Sequence, residues 1–255
     1  MDDKRYIIKW NLWGLVGLCA LVPVWWAASL VSGGKIIPDP PTVFLRFLVL
    51  LPTVMWRHGL ASLARIAAGL CLALVTAVPA GLAIGRSRAL DRALSPLAYL
   101  LYPVPKIALL PVIMLLFGLT DVSKVMVVFL VLFFQFLIAS RDAVKGIPDQ
   151  YLISLRSLGA RRLQTMRYVV WPALLPQLLS TLRVGAGTAL AVLFFAETFG
   201  TRMGLGYFVM ESWMRVAYPD MYAGILGLGV LGLAIFKSID AVQRRACRWQ
   251  RPVRG

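Results

Sequence analysis

Acidic residues are scarce in this sequence: 11 Asp and Glu stand against 27 Lys and Arg in 255 residues, a formal net charge of +16. Histidine occurs once, as His58, with no carboxylate or cysteine near it in sequence, which argues against a metal role. One histidine and scattered carboxylates also offer no catalytic cluster, so a membrane-embedded enzyme is disfavoured. Cys19, Cys71 and Cys247 form no CxxC pair and no even framework, which excludes a disulfide scaffold or a zinc site by spacing. Cys19 and Cys71 fall inside apolar runs and read as small apolar fillers. No GxxxxGK[ST] phosphate loop is present, and the glycines of Gly200–Gly206 lie in the wrong context for one. Inverted repeats and paired intramembrane carboxylates are missing too, against a transporter driven by an ion gradient; Glu197 alone among the acids lies close to a span interior.

What is abundant is apolar sequence: 60% of residues, with a mean hydropathy of +0.78. A soluble domain of this length needs more polar surface than that. The charges are clustered and separate long apolar runs, the pattern of an all-α, polytopic membrane protein. The basic residues lie in the gaps rather than along one polar face, so the positive charge reads as membrane topology and not as a nucleic-acid site.

Six spans are expected. Trp10–Gly34 is uncharged and longer than the roughly 7–15 residues of a signal-peptide core, so it reads as a retained span. Pro38, Pro40 and Pro41 then break the helix, and Thr42–Trp56, interrupted by Arg46 and Pro52, reads as an interfacial segment. The later spans are expected near 60–85, 94–119, 122–140, 170–195 and 221–236. The fourth is short, so Lys124 and Arg141 are expected to snorkel at its ends. Gly200–Asp220 reads as a polar and aromatic loop, and Trp10, Trp13, Trp213 and Tyr207 as an interfacial aromatic belt. With both termini cytoplasmic, the inside segments hold 18 basic residues and the outside segments 6, and this asymmetry decides the orientation. The organisation is then residues 1–56 as first span and interfacial segment, 57–240 as core, and 241–255 as a basic cytoplasmic tail, with no soluble domain flanking the membrane part.

The longest polar stretch, Arg141–Arg167, has a specific shape. Pro148 and Asp149 suit a helix start, Gln150–Leu158 continues it, and Gly159 supplies a left-handed end. A second helix, Arg161–Val170, leads into Pro172. A short helix lying across the cytoplasmic face suits docking of a moving partner; a solvated basic loop is the competing reading.

Gly159-Ala160, with Val169 ten positions after the glycine and Pro172 beyond it, resembles the EAA loop of ABC importer permeases, E-A-A-x-x-x-G followed by I-x-L-P. Three further stretches resemble that family: Leu60–Arg65 with Pro79–Leu82, Pro103–Pro111 with Phe117-Gly118, and Ala196-Glu197-Thr198 with Gly204–Tyr207. Together they are similar to the nitrate/sulfonate/taurine branch of type I importers, over Arg57–Trp249. The E-A-A positions are Ile153, Ser154 and Leu155, so the family glutamate is absent. The resemblance implies a non-catalytic, multi-pass subunit of a bacterial inner membrane that pairs with a second copy. Two ATP-hydrolysing subunits, which would carry ATP and magnesium, would dock on the loop, and a periplasmic or lipid-anchored binding protein would deliver a small solute. Sulfonate, nitrate and bicarbonate carriers occur among such relatives, as do carriers of vitamin or pyrimidine precursors. The expected coupling residues are Ile153, Ser154, Leu155, Gly159, Ala160, Arg161, Arg162, Val169 and Pro172.

Charge within spans is costly and marks function or pairing. Lys106, amid Pro103, Pro105 and Pro111, is placed either on the translocation path facing an anion or in a structural role at an interface or on freed carbonyls. Arg183 and Glu197 join it as path candidates, and Arg65 lies near an outer span end.

Overall fold

The structure, a computed structural model, describes residues 20–250, and these are helical with no strand. In chain order the helices are α1 (Ala20–Val31), α2 (Pro40–Leu50), α3 (Trp56–Arg86), α4 (Arg88–Leu101), α5 (Leu110–Phe117), α6 (Asp121–Lys145), α7 (Asp149–Ser157), α8 (Arg162–Thr165), α9 (Trp171–Glu197), α10 (Leu205–Met214) and α11 (Tyr218–Ala246). Without water in the hydrocarbon, each backbone N–H and C=O must bond within its own segment, so the apolar runs can only be helices. Four helical stretches are long and apolar enough to span: Pro40–Arg86, Asp121–Lys145, Arg162–Glu197 and Tyr218–Ala246. The pair Arg88–Leu101 and Lys106–Phe117, bent by 81°, makes a fifth if it is one broken span. The first expected span, Trp10–Gly34, is described only from Ala20 on; its earlier part lies outside the described residues.

Several expectations are corrected. Thr42–Trp56 is no separate interfacial segment: α2 passes through a π-helical turn, Leu51–Met55, directly into α3, a continuous 47 residues. At 1.5 Å per residue this rod is about 70 Å long, roughly twice the hydrocarbon thickness, so it is longer than one crossing needs. The reason lies in packing: Phe47, Leu50 and Met55 bury against Leu205, Phe208 and Ala223, and Arg46 pairs with Asp220 at the start of α11. Asp39 starts the rod by accepting the Thr42 hydroxyl (2.7 Å) and amide (3.2 Å), the bonds that hold its carboxyl below the ordinary value, while Pro40 sits where its missing N–H costs nothing. Gly200–Asp220 is not all loop, since α10 forms within it. The fourth span is 25 residues long, and neither of its end cations snorkels: Lys124 is fully buried and Arg141 pairs with Asp91 and Asp142. The 241–255 tail begins as helix, for α11 runs to Ala246.

The centre of the bundle is α6, packed between α3 and α9. Its buried face carries Val128, Leu132, Phe136 and Leu137 against Ile66, Ala73, Ala77, Leu174, Leu178 and Leu193. Lipid gives packed helices no hydrophobic drive toward one another, so close fit must hold them. Small residues provide it. A Cβ on Gly81 would stand 2.5 Å from the Leu137 carbonyl oxygen, and one on Gly85 would stand 2.8 Å from the Arg141 carbonyl oxygen. On α9, Gly185 meets Leu132 in the same way.

Because the Leu137 oxygen is backbone within a helix, it cannot yield. We expect Gly81→Leu to cost at least about 1–3 kcal/mol by overpacking. Gly59→Leu, which meets nothing within 4 Å, serves as the control. Thermal unfolding of the detergent-purified protein checks this: a lowered midpoint for Gly81→Leu alone is the expected result.

Candidate functional site

Two ends of the bundle carry polar structure. At one end a buried cluster joins α3, α6 and α9. Arg65 donates from Nη1 to Glu197 Oε1 (2.6 Å) and to the Met203 carbonyl (2.8 Å), and from Nη2 to Asp121 Oδ1 (2.7 Å). Glu197 has no solvent exposure. It also accepts from the Ser62 hydroxyl (2.9 Å) and from the Gly206 N–H (2.9 Å). Ser62 in turn accepts the Leu205 N–H at 2.9 Å, and His58 Nδ1 accepts the Gly204 N–H at 3.0 Å. The N-cap position of α10 is Gly204, which has no side chain, so the first amides of that helix are satisfied by α3 and α9 instead. The glycine is required there. Its φ is +126°, and a Cβ would stand 2.3 Å from the Glu197 carboxyl carbon. Lys124 completes the cluster with its ammonium 3.5 Å from the Gly200 carbonyl oxygen.

The three path candidates do not meet. Lys106 lies just after the break between α4 and α5, where Pro103 and Pro105 leave the last carbonyls of α4 without helical donors. Its ammonium donates to the Leu101 oxygen (2.6 Å) and the Tyr102 oxygen (2.5 Å), and lies 4.7 Å from the centre of the Phe134 ring. Arg183, half-exposed in mid-α9, donates to Asp240 of α11 at 2.8 Å. Glu197 is fourteen residues further along α9, about 21 Å away. Sequence reasoning missed Gln135, whose Oε1 is buried without a partner at the middle of α6. A single amide inside a charge-free apolar run was the signal available. Among the described residues no group of His, Cys, Asp and Glu is placed to hold a metal ion.

At the other end the expected coupling residues form one continuous feature. The helix α7 closes with the Gly159 N–H donating to the Arg156 oxygen (2.9 Å) and the Ala160 N–H to the Leu155 oxygen (3.0 Å), with Gly159 at φ +74°. This is the Schellman arrangement, which satisfies the last carbonyls of a helix and turns the chain. Arg161 then donates its N–H to Gln164 Oε1 (2.7 Å), opening α8 at Arg162. A π-helical turn, Met166–Val170, holds Val169 and passes into α9, where Pro172 sits in the first turn. Ser154 faces out and Leu155 is partly covered. Ile153, Leu158 and Leu163 are 59%, 85% and 79% exposed, an apolar surface on an otherwise polar stretch.

The chain is similar to known proteins. The family described as "Binding-protein-dependent transport system inner membrane component" matches residues 69–251. The taurine transport system permease protein TauC of Escherichia coli (strain K12) is 30% identical over 91% of this chain and 87% of its own length. The riboflavin transport system permease protein RibX of Chloroflexus aurantiacus is also 30% identical, over 95% of this chain and 92% of its own length. Among solved structures, an inward-facing MetNI methionine ABC transporter chain superposes with a TM-score of 0.63 at 18% identity, over 75% of this chain and 95% of that one.

Removing one member of a buried ion pair costs about 3–5 kcal/mol, because the other is left uncompensated. Glu197→Ala is therefore expected to lower the thermal midpoint strongly. Asp121→Ala, whose side chain is 71% exposed, is expected to cost at most about 1 kcal/mol. Equal effects in the two variants would refute this ranking.

Proposed function

The chain belongs to the family of binding-protein-dependent transport system inner membrane components, and from that premise we propose that it is the pore-forming subunit of an ATP-driven importer, coupled to ATPase subunits through α7 and α8. The observation that supports the coupling is the exposure of Ile153 on α7, Leu158 at its C-cap and Leu163 on α8, around a fixed glycine turn. Leucines left at such exposure gain by being covered, about 1.5–3 kcal/mol for each one fully buried. Where the family pattern has a glutamate this chain has Ile153, so docking rests on apolar fit and on Arg161 and Arg162 more than on a buried carboxylate. ATP and magnesium belong to the partner, since this chain has no phosphate loop. The subunit crosses the membrane six times with both ends in the cytoplasm, as the basic-residue asymmetry supports. It pairs with a second copy and receives solute from a binding protein on the outer side.

The solute is a small anion, a sulfonate being the class that the taurine relative supports. We place Lys106 and Arg183 along the path, with Glu197 behind its outer end. Two donor directions of Lys106 go to carbonyls, which leaves the third for an anion. The riboflavin relative, at the same identity, supports a vitamin or vitamin precursor instead. Ligand identification on the cognate binding protein separates the two.

Gly159 has open space around it, so its replacement acts through backbone strain alone, about 1–2 kcal/mol for a side chain at positive φ. Gly159→Val and Leu158→Asp are expected to reduce co-purification of the ATPase subunits, and Gly159→Asn to reduce it less. Unchanged co-purification and unchanged transport-linked ATPase activity in Gly159→Val count against the docking surface. Lys106→Met is expected to impair uptake in liposomes at normal complex yield, with Lys106→Arg retaining part of it; normal uptake in Lys106→Met ends the path assignment.

A further inference from the structure

Three arginines from three different elements line one hollow beside the coupling loop. Arg86 is the last residue of α3, Arg156 stands in the last turn of α7, and Arg162 opens α8. With Ala160 and Thr165 they enclose an open space of about 690 Å³. A second hollow of about 400 Å³ shares Arg86, Arg156 and Thr165 and adds Arg88 and Lys145. Among the described residues, Arg86, Arg88, Arg156 and Arg162 form no ion pair. Among the described residues, the one hydrogen bond of the Arg86 guanidinium goes to the Met166 sulfur at 4.0 Å. Asp91 and Asp149 also line that second hollow, and Asp91 is already bonded to Arg141 and Lys145. Like charges brought round one space repel, and the lining of the larger hollow holds no acidic residue to offset them.

The chemistry of the missing partner follows from the donors. A guanidinium presents a planar fork that matches the oxygens of phosphate in pairs, and three forks round one hollow suit one phosphate group better than a single carboxylate. Depth selects the source. Arg86 is the last residue of Pro40–Arg86, a stretch long and apolar enough to span, so the hollow lies at an end of a candidate span. On the reading that this end faces the cytoplasm, the membrane boundary there is the inner leaflet, which carries the anionic lipids, and basic pockets between spans on that side hold their headgroups. We infer that Arg86, Arg156 and Arg162 form a site for the phosphate of an anionic phospholipid, which wedges between the end of α3 and the coupling loop. A lipid there joins the loop to the membrane end of the bundle, so the lipid composition sets how firmly the loop is held.

The test is lipid retention by the purified, delipidated permease–ATPase complex, followed by native mass spectrometry with added phosphatidylglycerol or phosphatidylcholine. The site predicts preference for phosphatidylglycerol. At about 1 kcal/mol for each basic residue near a lipid surface, affinity falls about fivefold in R86Q and about a hundredfold in the R86Q/R156Q/R162Q triple variant. Should the triple variant not fold, R86Q carries the test, because that side chain makes no ion pair and lies outside the docking loop. Equal retention of the two lipids overturns the inference, as does unchanged phosphatidylglycerol affinity in the variants. Displacement by millimolar inorganic phosphate makes the occupant a soluble anion and overturns the lipid. Loss of the ATPase subunits with lipid affinity intact assigns the arginines to acidic groups of that partner. Side-specific cysteine labelling reads the orientation separately, so a failure there is not mistaken for a failure here.

Discussion

Arg65 can stand inside an apolar helix bundle because Glu197 stands with it, 2.6 Å away and without solvent exposure. The rest of that end of the bundle depends on the pair. Glu197 receives the first amides of α10 through Gly206, Ser62 relays to Leu205, and the Met203 carbonyl closes on Arg65. A buried ion pair adds little net stability over a well-packed apolar pair. Its effect is positional: each charge must find the other, so α3, α9 and the 198–206 loop have one way to meet. Asp121, on the exposed side of the same arginine, extends the constraint to α6.

The two polar ends of the molecule are joined by rigid helices. From Trp171 to Glu197, α9 runs for 27 residues, about 40 Å, from the coupling loop to the buried pair. The central helix α6 lies against it through Gly185, and against α3 through Gly81 and Gly85. Contacts this close leave no slack for one helix to slide by a fraction of an ångström. On the proposed function, a displacement imposed at α7 and α8 would be passed along whole helices rather than absorbed within them. The compliant points are the breaks: the 81° bend between α4 and α5, capped by Lys106, and the π-helical turns at Leu51–Met55 and Met166–Val170.

Features governed by a few neighbouring residues were legible in the chain. The end of α7 at Gly159 follows from one glycine after a short polar helix, because positive φ is a local demand. The start of α2 at Pro40, capped by Asp39, was hidden, because the prolines there read only as a helix break. The nine residues that the resemblance to the EAA loop marks out as coupling residues fall in one continuous feature. Lys124 was misjudged for the opposite reason. Hydropathy places a lysine near a span end at the interface, but here α9 and its following loop cover it, with the Gly200 oxygen beside its ammonium.

The sequence by itself determined that the chain is a helical membrane protein, because the bilayer acts on each apolar run independently of the others. It also determined the short helix that ends in a turn at Gly159, which is local. Only the tertiary structure decided who partners whom. Arg65 with Glu197 spans 132 positions, His58 with Gly204 spans 146, and Arg46 with Asp220 spans 174. It alone joined Thr42–Trp56 to α3 and drew Arg86 beside Arg156 and Arg162. A buried polar group must be satisfied, yet any of several distant groups would serve. Which one does is set by how the helices pack, a matter of shape that no local pattern carries.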